Sequence, residues 1–87
     1  MSLENDDILI LRKMLMVLSK IGPLGLEKPD LFEQTQLAAS VPVKTTEMEN
    51  RFRILKNKGW IYDVKQPMTG RIRWVITEVG KTAYKGL

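Results

Sequence analysis

The sequence predicts an α+β fold that is mainly helical: three helices lead into a two-stranded β-hairpin, and a short helix closes the chain. Three observations carry this reading. Apolar residues recur at three- and four-residue steps as far as about Lys58, the period changes to two beyond Gly59, and Gly or Pro stands at the junctions. A chain of 87 residues has material for one small core, so residues 1–87 are read as a single domain.

The first helix is expected over Asn5–Ile21, with Asn5 or Asp6 as its cap and Ile8, Leu11, Leu15 and Leu18 on one face. Leu9, Ile10, Met14, Met16 and Val17 widen that stripe around much of the circumference, as on a helix buried from more than one side. Two origins are open for this breadth: a central position in the chain's own bundle, or packing of residues 5–21 against a second copy. Gly22-Pro23-Leu24-Gly25 ends the helix. A second helix starts near Pro29 or Asp30 and runs to about Ser40, where Pro42 forces a turn. The third covers about Thr45 to Lys58 with Met48, Phe52 and Leu55 inward, and Gly59 stops it. Residues 60–65 and 71–76 are rich in β-branched and aromatic residues, and the turn-forming segment Gln66-Pro67-Met68-Thr69-Gly70 joins them into a hairpin. Thr77 is placed to cap a last helix from Glu78 to about Lys85.

Composition narrows the chemistry. The chain holds no cysteine and no histidine, which removes disulfides, thiol nucleophiles, Cys/His zinc sites and imidazole acid–base catalysis together. No carboxylate pair or phosphate-cradling glycine loop stands out, and Gly22-Pro23-Leu24-Gly25 lacks the Lys-Ser/Thr of a P-loop. The expectation is a non-enzyme without metal or cofactor. No apolar run approaches the ~20 residues of a membrane span, and Glu4, Asp6 and Asp7 are unlike a secretory leader; a cytoplasmic location is expected. Charge is polarised: residues 1–43 carry four basic and six acidic side chains, net −2, and residues 44–87 carry ten and four, net +6. Such a basic half is the footprint of a phosphate-backbone binder.

The most informative stretch runs from Gln36 to Leu55. Two helices crossing steeply over a short turn need a small residue at the crossing and apolar residues on both sides. Leu37 is expected as the first inner anchor, Ala38 as the small crossing residue, and Val41 and Val43 as the brackets of the turn. This run resembles the helix-turn-helix of bacterial winged-helix regulators, with Pro42 where a turn glycine is usual. Leu55-Lys56-Asn57-Lys58-Gly59-Trp60-Ile61 is similar to their passage from recognition helix into wing. Thr69-Gly70-Arg71-Ile72-Arg73-Trp74-Val75-Ile76-Thr77-Glu78-Val79-Gly80-Lys81 is similar to the wing and final-helix start of MarR- and PadR-like regulators. The resemblance covers residues 36 to about 84. It implies a winged helix-turn-helix, with the helix-turn-helix at about 30–58 and the wing at about 60–76. It further implies a small prokaryotic or phage transcriptional regulator that binds double-stranded DNA.

With Met48, Phe52 and Leu55 inward, the third helix shows Thr45, Thr46, Glu49, Asn50 and Arg53 outward. Its first turns are the part that enters a major groove, which puts Thr45, Thr46 and Asn50 nearest to base edges. Asn and Arg can bond adenine and guanine in two places each, whereas Lys44, Arg51, Lys56 and Lys58 suit phosphates. Glu47 and Glu49 argue the other way, since carboxylates repel phosphates. On the hairpin, Arg71 and Arg73 alternate with Ile72 and Trp74 and so share a face; Lys65, across the turn, is expected to join them along the backbone or minor groove. Trp60 and Trp74 are read as core cover, and the five methionines as gap-fillers. Double-stranded DNA is thus the expected partner, with a homodimer through residues 5–21 supplying a second half-site. The alternative is a winged helix that serves as a protein-protein module without DNA readout, favoured by the apolar first helix and by the two acids.

Overall fold

The computed structural model describes residues 5–87, with side chains described from Ile8 onward; the expected capping by Asn5 or Asp6 lies outside those side chains. Helix α1 spans Asn5–Ile21, α2 Lys28–Ala39, α3 Thr45–Asn57 and α4 Glu78–Gly86, with strands β1 Ile61–Lys65 and β2 Ile72–Ile76 between α3 and α4. This is the expected α+β, mainly helical architecture, in a winged-helix-like layout. Among the described residues no helix is long and apolar enough to cross a membrane.

Much of the apolar stripe on α1 is buried within one chain, while Leu9 is exposed and Met16 and Val17 are half-buried. Ile10, Leu11, Met14, Leu15 and Leu18 are buried, and α1 touches α2, α3, α4 and β2. Around it Leu31 and Ala39 of α2, Met48, Phe52 and Leu55 of α3, and Ile61 and Ile76 of the hairpin complete the core. Arg12 lies 4.9 Å above the Tyr84 ring and ties α1 to α4.

Helix α2 departs from expectation in phase. It begins one turn after Gly25 with Pro29 in its first turn, and its inner stripe is Leu31, Thr35 and Ala39 at steps of four. Leu37, expected as an inner anchor, is 71% exposed, because it lies about 200° around the helix from Thr35. Ala38 is only half-buried, and Ala39 is the small buried residue at the end of the stripe. The turn differs too: Val41 is exposed and only Val43 packs on the core. Ser40 takes the left-handed conformation (φ 66°) that a glycine would otherwise supply, so the strained position of the turn is Ser40 rather than Pro42. The side chain of Gln36 holds the turn together. Its amide nitrogen donates to the Val41 carbonyl (2.6 Å), and its oxygen accepts from the Val43 N–H (2.8 Å).

Helix α3 ends in a Schellman arrangement. Gly59 stands at φ 71°, the Trp60 N–H donates to the Leu55 carbonyl (3.0 Å), and the Gly59 N–H donates to that of Lys56 (3.1 Å). The hairpin pairs Ile61 with Ile76, Asp63 with Trp74 and Lys65 with Ile72. Residue 26 extends this sheet by one rung on the far side of β2. Leu26 N–H donates to the Trp74 carbonyl (3.0 Å), and Trp74 N–H donates to the Leu26 carbonyl (2.7 Å). Gly25 makes this approach feasible: its φ is 68°, and a Cβ there would stand 2.7 Å from the Trp74 carbonyl oxygen. Thr77 caps α4 as expected, its hydroxyl oxygen accepting from the Gly80 N–H (3.0 Å) while its O–H donates to the Gly59 carbonyl (2.7 Å). Gly80 lies so close to the Trp60 carbonyl that no Cβ fits, which explains the Thr-Glu-x-Gly spacing.

Candidate nucleic-acid interface

Burial of Met48, Phe52 and Leu55 turns the opposite side of α3 to solvent, where Thr46, Asn50 and Arg53 are exposed in one stripe; Thr45, seven residues before Phe52, lies on the line of the buried residues and is exposed as the first residue of the helix. Lys44 is exposed at the N-terminal end of the helix and Lys56 at its C-terminal end. Arg51 is half-buried and therefore stands apart from the exposed stripe.

Beside the stripe, a row of aromatic rings runs from α2 through α3 to β2. Phe32 meets Phe52 edge-on at 5.8 Å, and Phe52 meets Trp74 edge-on at 4.9 Å, as suits the quadrupole of each ring. Two lysines lie over this row. Lys28 Nζ is 5.2 Å from the Phe52 centroid, and Lys56 Nζ is 5.4 Å from that of Trp74. The rings thus hold one ammonium group, of Lys28, between α2 and α3 and another, of Lys56, between α3 and the wing. Trp74 is core cover, as expected, and also the floor under a cation. Lys58 sits 5.5 Å over Trp60 in the same manner.

Lys28 has a second role that the sequence did not disclose. Its Nζ is 2.7 Å from Glu49 Oε2, so the acid on the flank of the exposed stripe is neutralised by a cation from α2. Both side chains remain about two-fifths exposed, which keeps the pair weak, at roughly 0–1 kcal/mol. Its effect is local: a phosphate approaching α3 meets a paired carboxylate rather than a bare one. Glu47 is exposed in the first turn, without an ion-pair partner among the described residues.

The wing carries its cations on two faces. Opposed residues of an antiparallel pair share a face, so Lys65 lies with Ile72 and Trp74, while Arg73 lies with Val64 on the reverse. Lys65 therefore does not join the arginines: the connection runs over six residues, 66–71, so Lys65 pairs with Ile72 where the expected five-residue turn would have set it opposite Arg71. Arg73 is half-buried, and its Cβ packs near Gly25. Arg71 is exposed and reaches back to Glu27, with Nη1 3.5 Å from Oε2. No protein-family model, curated protein or solved structure matches this chain.

The arrangement thus brings together Lys44, Thr45, Thr46, Asn50, Arg53 and Lys56 on and around α3, with Lys65 and Arg71 near the wing tip. It adds Lys28, which sequence reasoning missed. The only sequence signal for Lys28 was its position at the start of a helix preceding the crossing; its proximity to Glu49 is long-range and leaves no periodic trace. Chemically the surface offers hydroxyl, amide and guanidinium donors framed by positive charge, a set suited to base edges and phosphates.

Proposed function

We propose that this chain binds double-stranded DNA as a small transcriptional regulator of the winged-helix type resembling MarR- and PadR-like proteins. In this reading α3 enters the major groove with Thr45, Thr46, Asn50 and Arg53 toward base edges. Lys44, Lys56 and Lys28 meet phosphates, and the wing tip lies along the backbone or minor groove with Arg71 and, from the other face of the hairpin, Lys65, while Arg73 is half-buried behind them. The observation that carries it is the exposed stripe of α3 beside two lysines held over aromatic rings, with two of the three neighbouring acids, Glu27 and Glu49 but not Glu47, within ion-pair distance of a cation. The charge polarity of the sequence, net +6 over residues 44–87, supports it independently.

The test is binding to a random-sequence duplex pool at two salt concentrations, beside an Arg71→Ala/Arg73→Ala variant and an Asn50→Ala/Arg53→Ala variant. The expected result is salt-sensitive binding with enrichment of particular sequences. The wing variant weakens binding to all sequences, and the helix variant loses the enrichment. Binding without enrichment points to an architectural role, and absence of binding at low salt overturns the proposal. The second reading, a protein-protein module, is favoured by Glu47 in the first turn of α3, an acid without an ion-pair partner among the described residues. It predicts that last outcome.

A further inference from the structure

Leu37 is a large aliphatic residue that is 71% exposed in the middle of a small protein. It stands on the rim of a groove of about 590 Å³ between α1 and α2, whose apolar wall includes Met16, Val17 and Ile21. The groove carries opposite charges, Lys20 from α1 and Asp30 from α2. Neither has an ion-pair partner among the described residues. No residue of α3 or of the β1–β2 hairpin lines it.

We propose that this groove is where two copies of the chain associate, each Leu37 entering the groove of the other. The argument is self-complementarity. A symmetric interface needs a projection and a recess on the same face, and a charge of each sign on opposite sides of the two-fold axis. Leu37 beside the Met16–Ile21 wall supplies the first condition. Lys20 and Asp30 supply the second: with the axis along the groove, each Lys20 faces the partner's Asp30, and two ion pairs close the rim. An unrelated helical partner would need an apolar face bearing the same pair of charges in reverse, whereas a second copy brings them already. The interface differs from one built on α1 alone, since the projecting residue comes from α2. It also leaves α3 and the wing uncovered on both copies.

Sedimentation velocity and light scattering across the micromolar range, without DNA, test this. A reversible monomer–dimer equilibrium is expected. Leu37→Lys is expected to weaken it about a hundredfold or more, the equivalent of exposing two buried leucines, one from each copy, with the circular dichroism spectrum unchanged because the side chain is exposed in the monomer. Lys20→Asp and Asp30→Lys are each expected to weaken association several-fold, and their combination to restore it. Restoration by the double reversal supports pairing across the two-fold axis. A wild-type chain that stays monomeric overturns the proposal and leaves the groove to an amphipathic helix of a different protein. A dimer indifferent to all four variants overturns it as well, by locating the contact elsewhere. Because DNA is absent from the measurement, failure here is distinct from failure of the DNA reading.

Discussion

Thr35 is fully buried in the inner stripe of α2, and its hydroxyl has no hydrogen-bond partner among the described residues. A buried hydroxyl without a partner costs about 1–3 kcal/mol, so Thr35→Val is expected to stabilise the fold by about 1–2 kcal/mol, read as a higher urea midpoint at unchanged slope. An unchanged or lower midpoint would show that the hydroxyl is satisfied. Gly25 behaves in the opposite way. Its left-handed φ of 68° and the 2.7 Å gap between a built Cβ and the Trp74 oxygen act together. Gly25→Ala is expected to cost more than the ~1–2 kcal/mol of the conformation alone, again by urea unfolding. A loss below about 1 kcal/mol would mean that the rung at Leu26 moves aside without consequence. These two positions also show why burial was hard to read residue by residue. An inward threonine looks polar in the sequence, and the leucine two residues on offers itself as the anchor in its place.

At the scale of elements, α3 and its neighbour α2 are joined by Lys28 and Glu49. Glu49→Gln removes the acid, frees Lys28 for a phosphate and lowers repulsion, and is expected to raise DNA affinity about threefold to tenfold. Lys28→Gln leaves Glu49 unpaired and is expected to lower affinity by a similar factor, both read by fluorescence anisotropy on one duplex. Equal affinity for both variants and the wild type would mean that this flank of α3 stays clear of DNA. The elements themselves were legible where a period was long enough to see. Met48, Phe52 and Leu55 announced α3, Thr77 and Gly80 announced the start of α4, and alternation announced the hairpin. Three features left no such trace. A single rung at Leu26 has no period; the face taken by Lys65 depends on register, which shifts by one because the connection takes in Arg71 as well as residues 66–70; and the left-handed Ser40 stands at a residue that rarely adopts that shape. The exposed residues of α3 were read correctly from its buried ones, whereas Lys28 required the tertiary arrangement.

For the whole molecule, the relevant quantity is the number of cations that can meet phosphates at once. Lys44, Lys56, Lys65 and Arg71 are exposed around α3 and the wing tip, and Lys28, half-buried like Arg51 and Arg73, keeps about two-fifths of its side chain exposed beside them. If about five of them each neutralise one phosphate, the logarithm of affinity falls with the logarithm of salt concentration at a slope of about −4 to −5 per chain. Arg71→Ala is expected to reduce that slope by about one without altering sequence preference. A flat salt response would remove the electrostatic basis of the proposed function, whatever the affinity.

The rung between Leu26 and Trp74 makes the hairpin a beam clamped at one end. Its root is held by two hydrogen bonds from residue 26, by the Trp74 ring against Phe52 and by Thr77 bonded to Gly59, while Met68 at the turn is 95% exposed. Motion should therefore grow along its length instead of swinging the whole arm about a hinge. Amide hydrogen exchange makes the gradient visible: the Leu26 and Trp74 amides should open only with global unfolding, and those of Thr69 and Gly70 within the native state. A beam of this kind can bend its tip to follow a groove of varying width while the distance between its base and α3 stays constant.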